Sequence, residues 1–153
     1  MPSAPGEGAA FTITLPAWDG PLPQPEEQQP ISSPVARRCN ILIVEDDDHV
    51  AEVVTACLQR DHVIYRDRDG GEAVGDHFTE IERDVAFVDL GLPDLSGDKV
   101  AVELRRIHAH LATFLITGWH LQDDDTRLQT FDYHLRKPFS LEDVRRAISL
   151  VTA

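Results

Sequence analysis

The stretch from Asp84 to Gly97, D-V-A-F-V-D-L-G-L-P-D-L-S-G, constrains the fold of this chain more than any other. Val85 to Val88 is apolar without alternation, the pattern of a short strand covered on both faces. Such strands belong to parallel sheets with helices on either side. The run stops at a single carboxylate, Asp89, and a loop containing Gly91 and Pro93 follows. A buried strand thus delivers one acid to the rim of a sheet, and what the chain places around Asp89 decides its chemistry.

The same pattern recurs along the sequence. Ile41–Val44 reads as a first buried strand, Val63–Tyr65 as a second, Thr113–Ile116 as a fourth and Tyr133–Leu135 as a fifth. Amphipathic segments lie between them. Val50, Val53, Val54, Cys57 and Leu58 share one helical face, and Gly70-Gly71 opens a weaker helix through Ala73, Val74 and Phe78. Ser96 or Asp98 caps a helix carrying Val100, Ala101, Leu104, Ile107 and His108, and a short, polar, poorly patterned helix is expected over Asp123 to Thr130. Ser140 to Asp143 starts the last helix in the manner of a capping box, with Leu141, Val144, Ile148 and Val151 as its stripe. Strand–helix alternation repeated five times defines an α/β fold, a parallel sheet with helices on both faces.

Residues 1–38 differ in kind. They hold eight of the ten prolines, with Gly, Ser and Gln between them, and read as a disordered tail ahead of a domain spanning 39–153. Within the tail only Phe11 to Leu15 alternates like a strand, followed by Trp18, a segment suited to docking on a partner or a sheet edge. The net charge of −13 argues against nucleic acid or an anionic membrane as a partner, and fits divalent cations or a basic protein surface. Cys39 and Cys57 read as small buried apolar residues in a reducing compartment. With neither a signal peptide pattern nor a membrane span, the protein is expected in the cytoplasm.

In doubly wound sheets, ligands bind beyond the carboxyl ends of the strands. Those ends carry Glu45-Asp46-Asp47-Asp48, Asp89, Thr117-Gly118 and Lys137-Pro138; Arg66-Asp67, after the second strand, reads as an ordinary charged loop. Two unit charges about 4 Å apart at an effective dielectric near 20 repel by roughly 4 kcal/mol, so converging carboxylates call for a cation. All-oxygen ligation with room for water suits Mg²⁺. The Lys137 ammonium and the Thr117 hydroxyl have the chemistry to bind phosphoryl oxygens.

The ordered set Ile-Leu-Ile-Val-Glu-Asp-Asp, Val-Asp-Leu-Gly-Leu-Pro, Leu-Ile-Thr-Gly and Arg-Lys-Pro-Phe resembles the receiver domain of two-component response regulators over residues 39–153. The resemblance implies a flavodoxin-like (βα)5 doubly wound fold with strand order 2-1-3-4-5. It implies Asp89 as the acceptor of phosphate from a histidine kinase or phosphotransfer protein. It further implies Asp46 as a direct Mg²⁺ ligand, Glu45 acting through water, and Gly91 binding the metal through its backbone carbonyl. Thr117 corresponds to the hydroxyl residue that moves onto the phosphoryl group, Lys137 to its charge partner, and His134 to the switch aromatic. A cis Lys137–Pro138 bond belongs to the same pattern. The protein implied is a phosphoacceptor that assists its own phosphorylation and dephosphorylation, with a downstream protein target, more than a turnover enzyme.

Some features depart from that pattern. Thr117 and Lys137 are only twenty positions apart, and the usual small-residue turn is missing at Gln129-Thr130-Phe131, so the fourth helix is expected to be short or irregular. Gly91 and Trp119 stand two positions past Asp89 and Thr117, beside the path of a hydrolytic water. Gly91 has no side chain to orient that water, and the Trp119 indole either shields the phosphate, in which case slow self-dephosphorylation is expected, or serves only as a contact for a partner protein. Gly91 also stands where a hydrolytic aspartyl phosphatase would want an acid. The given chain ends after the last helix, and a stand-alone receiver is expected. The competing function is a receiver-fold interaction module that works without phosphorylation, which has no need to keep Glu45, Asp46, Asp89, Thr117 and Lys137 together.

Overall fold

The computed structural model describes residues 37–75 and 80–152, together with Thr12 and Thr14. Of the expected tail only Thr12, Thr14, Arg37 and Arg38 are described, none in regular structure; the rest of it, including Phe11, Ile13, Leu15 and Trp18, and Phe78 of the second helix lie outside the described residues.

Five strands form one parallel sheet: β1 (Asn40–Val44), β2 (Val63–Asp67), β3 (Val85–Asp89), β4 (Ala112–Thr117) and β5 (Tyr133–Arg136), in spatial order β2-β1-β3-β4-β5. This is the flavodoxin-like order, and chain direction across the sheet reverses between β1 and β3. Among the described residues the sheet is flanked by the helices α1 (Asp48–Leu58), α2 (Gly70–Ala73), α3 (Gly97–Ile107) and α4 (Leu141–Thr152).

The missing alternation in the strands has its explanation in the two cores. Ile41, Ile43, Val85, Phe87, Phe114 and Ile116 pack beneath α1 and α4. Leu42, Val44, Ala86, Val88 and Leu115 pack beneath α2 and α3. Successive side chains point to opposite faces, and both faces are covered. Phe87, Phe114 and Tyr133 form a stacked row across β3, β4 and β5, with centroid spacings of 4.8 and 4.6 Å. Cys39 and Cys57 are unpaired and buried.

Several boundaries differ from expectation. Arg66 and Asp67 are not a loop but the end of β2, paired in register with Ile43 and Val44, because β1 extends far enough to offer them a partner. On α1 the buried face is Ala51, Val54, Cys57 and Leu58, while Val53 is exposed. Helix α2 closes at Ala73, with Val74 as its C-cap. Ser96 occupies the N-cap of α3, but its hydroxyl bonds the Asp98 carboxylate instead of a backbone N–H. At α4 the expected capping box is present: Asp143 N–H donates to Ser140 Oγ at 3.2 Å, and Ser140 N–H donates to Asp143 Oδ2 at 2.8 Å.

The largest correction concerns Asp123 to Thr130. No α-helix forms there; a single 3₁₀ turn, Leu128–Thr130, precedes β5. Asp125 turns back onto Arg127, and Leu121, Leu128 and Phe131 supply the apolar contacts to the core. Asp132 closes the segment by accepting from Thr113 N–H at 2.8 Å and pairing with Arg105. Local carboxylate bonds and three apolar anchors replace a helical stripe.

His62 lies at the opposite end of the sheet and is buried. Its Nδ1 accepts the Cys39 N–H at 3.3 Å, which requires an unprotonated Nδ1. Burial lowers its pKa below the ordinary value of about 6.5. The unfolded chain therefore takes up a proton near that pH while the folded chain resists it, so folding loses stability as pH falls through this range. Urea midpoints at pH 7.5 and 5.5 should show a smaller acid-side loss in His62→Asn than in the parent; an equal loss would contradict this account.

Candidate functional site

Register builds the site. Val44 pairs with Val88 in the sheet, so the residues that follow them, Glu45 and Asp89, leave adjacent strands side by side. Asp89 pairs with Ile116, one residue before Thr117, and Thr117 pairs with Arg136, one residue before Lys137. Glu45, Asp89, Thr117 and Lys137 therefore gather on one edge, centred on the β1/β3 crevice where the strand order reverses.

Lys137 joins the acids. Its Nζ lies 2.7 Å from Asp89 Oδ1 and 2.8 Å from Glu45 Oε2. The Asp89 contact is a well-directed hydrogen bond; the contact to Glu45 Oε2 is an ion pair without good hydrogen-bond geometry. The second Asp89 oxygen, Oδ2, accepts the Gly91 N–H at 2.6 Å, and Glu45 Oε1 accepts the Asp47 N–H at 3.2 Å. Glu45 is fully buried and Asp89 nearly so, while Asp46 is exposed. Burial pushes the Glu45 carboxyl above its usual range, more than the Lys137 contact pulls it back, and the Asp89 charge pushes it further. Burial alone would lower the Lys137 ammonium, but its hydrogen bond to Asp89 and its contact with Glu45 prevail and raise it.

The four acids after β1 have separate tasks. Asp47 caps α1, accepting the His49 N–H at 2.8 Å. Asp48 pairs with Arg66 and Arg68 at 2.6 and 2.7 Å. Glu45 and Asp46 face Asp89, and the three offer carboxylate oxygens that all lie within 4.8 Å of one another. Three formal negative charges then face the single ammonium of Lys137. This hard, all-oxygen donor set with a charge surplus fits Mg²⁺.

Thr117 is buried, and its Oγ1 accepts the Trp119 N–H at 3.1 Å. The Lys137–Pro138 bond is cis, and Lys137 N–H donates to the Thr117 carbonyl at 2.8 Å. His134 is exposed, with Nε2 3.1 Å from the Leu128 carbonyl.

Three positioning features escaped the sequence. Gly97 sits where a Cβ would overlap the Asp89 carbonyl oxygen and come 3.0 Å from Leu90 Cα, so α3 starts directly against the end of β3. Asp94 accepts both the Gly70 and Gly71 N–H groups, at 2.8 and 2.7 Å, tying the loop after β3 to the start of α2. Arg66 donates to the Glu45 carbonyl at 3.4 Å as well as holding Asp48. A glycine opening a helix, where a cap or a longer side chain is usual, was the available signal for Gly97.

The β1/β3 crevice, the acid cluster and the lysine are the features expected of a receiver domain, and comparison with known proteins gives the same family. Residues 41–149 match the response regulator receiver domain, and the chain belongs to that family. It is 30% identical over 117 residues to the transcriptional regulatory protein KdpE of Staphylococcus aureus, covering 72% of this chain and 48% of that protein. It is 32% identical over 102 residues to the sensor histidine kinase AtsR of Burkholderia thailandensis, covering 65% of this chain and 17% of the kinase. The chain thus spans half or less of these relatives.

Among solved structures, the receiver domain of sensor histidine kinase PA1611 from Pseudomonas aeruginosa, with a magnesium ion coordinated in its active site cleft, has a TM-score of 0.67 at 26% identity, covering 75% of this chain and 98% of that one. Response regulator TrrA from Thermotoga maritima shares the fold, with a TM-score of 0.66 at 24% identity over 74% of this chain and 98% of its own. Among the described residues no helix is long and apolar enough to cross a membrane.

Gly97→Ala should displace the start of α3 from Asp89 and cost about 1–3 kcal/mol of stability, as overpacking of a tight contact does. Chemical denaturation measures it, and a variant as stable as the parent would show that the contact relaxes without cost.

Proposed function

We propose that this domain accepts a phosphoryl group on Asp89 from a histidine kinase or phosphotransfer protein and passes the signal to a protein target through a change in its surface. The observation that carries this reading is the Asp89 carboxylate held by Lys137 at 2.7 Å beside Glu45 and Asp46. One Asp89 carboxylate oxygen attacks phosphorus in line as the bond to the donor imidazole nitrogen breaks, and the imidazole leaves with a proton from solvent. Lys137 offsets charge on the phosphoryl oxygens. Glu45, Asp46 and Asp89, with the Gly91 carbonyl, would hold Mg²⁺, which when bound supplies further charge compensation at the same oxygens.

The hydroxyl of Thr117 then turns toward the phosphoryl group, giving up the Trp119 N–H that it accepts at rest. His134, now exposed against the turn before β5, is the side chain that takes up the space vacated, making a two-state element biased by a local charge. The domain is a regulated acceptor and not a turnover enzyme, and its place of action is the cytoplasm. With Gly91 offering no side chain to position water and the Trp119 indole beside it, the phosphate is lost slowly.

Incubation with acetyl phosphate and Mg²⁺ should label the protein with an acid-stable, base-labile phosphate, and Asp89→Asn should remain unlabelled. Label of the same stability on the variant would refute Asp89 as the acceptor.

A further inference from the structure

The segment between β4 and β5, where a helix was expected, carries a contact chain of its own. Trp119 is 54% exposed, yet its ring edge lies beside Gly91. A Cβ placed on Gly91 would sit 3.5 Å from Trp119 Cζ2 and 3.3 Å from Asp89 Oδ2. The indole therefore borders the acceptor carboxylate in space that any side chain at position 91 would contest. A half-exposed indole on a loop has several rotamers open to it, so holding this one needs a partner.

Arg127 is that partner. Its guanidinium carbon lies 5.7 Å from the Trp119 ring centroid, within cation–π range. The guanidinium is itself fixed. Asp125 Oδ1 accepts from Arg127 Nε at 2.9 Å and from the Arg127 backbone N–H at 3.0 Å, while Oδ2 accepts from Nη2 at 2.6 Å. This two-pronged fork limits the directions in which Arg127 can swing. It also holds the Asp125 carboxyl down to about 2, so the clamp stays charged across the physiological range. Asp98, at the start of α3, adds attraction for Arg127. Leu121 and Leu128 pack on the core at either side of the fork and anchor its backbone.

We propose that Arg127 is a positioning residue: clamped by Asp125, it holds the Trp119 indole beside Asp89 and prolongs the life of a phosphoryl group there. The inference rests on the phosphoacceptor reading above. In hydrolysis a water oxygen bonds to phosphorus as the bond to the Asp89 carboxylate breaks, releasing inorganic phosphate and a proton to solvent. An indole held at the mouth narrows the approach of that water, and an indole set loose opens it.

Two measurements on the full chain test this. With Trp18→Phe, Trp119 is the sole indole, and acrylamide quenching of its emission reports its cover without any phosphate. Decay of the label left by acetyl phosphate and Mg²⁺ is timed for the parent, Arg127→Ala, Trp119→Ala and the double variant. Arg127→Ala should raise the quenching and speed decay roughly two- to fivefold, the scale of an exposed cation–π contact. Arg127→Lys, which keeps a cation without the fork, should fall between. In the Trp119→Ala background, removal of Arg127 should change nothing further. Equal quenching with and without Arg127, or the same acceleration whether or not the indole is present, overturns the proposal. A parent protein that takes no label overturns the phosphoacceptor reading instead, and the quenching result then decides by itself whether Arg127 holds the indole.

Discussion

The ammonium of Lys137 between Asp89 and Glu45 is the contact on which the rest of the site depends. Two carboxylates this buried repel one another strongly in a medium of low effective dielectric, and one fixed cation 2.7 and 2.8 Å away makes their juxtaposition tolerable. Its compensation is incomplete. Glu45 is still held above its ordinary range, and Asp46 adds a third charge at the rim. The site is thus short of positive charge while it keeps the geometry of an oxygen cage. That imbalance is what suits it to a divalent cation and, through the cation and Lys137 together, to a phosphoryl group.

Lys137 reaches Asp89 only because two unrelated demands coincide. The first is the order β2-β1-β3-β4-β5, which opens a crevice between β1 and β3. The second is a register in which the strands end within one residue of each other from Val44 to Arg136. Gly97 and Asp94 then hold the loop after β3 from behind, one by its lack of a side chain and the other by bonds to Gly70 and Gly71. On the solvent side, Thr117, Trp119 and Arg127 form a run of contacts that reaches the 3₁₀ turn, whose first residue, Leu128, meets His134. Site and outer face are joined by a segment held mostly by local polar bonds, the kind of structure that shifts at small energetic cost.

The sequence made the sheet legible because each strand is an apolar run with no alternation, a pattern that leaves few alternatives once five such runs alternate with amphipathic segments. The site was legible for the same reason: strand ends are where function gathers in this architecture, so Glu45, Asp89, Thr117 and Lys137 could be placed together before any geometry was known. Elsewhere local pattern was a poorer guide. Val53 fits the apolar stripe of α1 by spacing yet faces outward, its place taken by Ala51, since the width of the buried face depends on how α1 sits against the sheet. Arg66 and Asp67 looked like loop because they are charged, but an edge strand ending at the rim tolerates charge. Asp123 to Thr130 has no periodicity to read, and its path is decided by Asp125 meeting Arg127 and Asp132 meeting Thr113 and Arg105.

The central claim is that Asp89 receives a phosphoryl group in a cage completed by Mg²⁺. Fluorine NMR of the protein with beryllofluoride, a tetrahedral mimic of the phosphoryl group, tests it most directly. The account predicts bound fluorine resonances that appear only when Mg²⁺ is present and that are lost in Asp89→Asn. No bound resonances in the parent protein with Mg²⁺, or bound resonances that persist without the metal or in the variant, would contradict it.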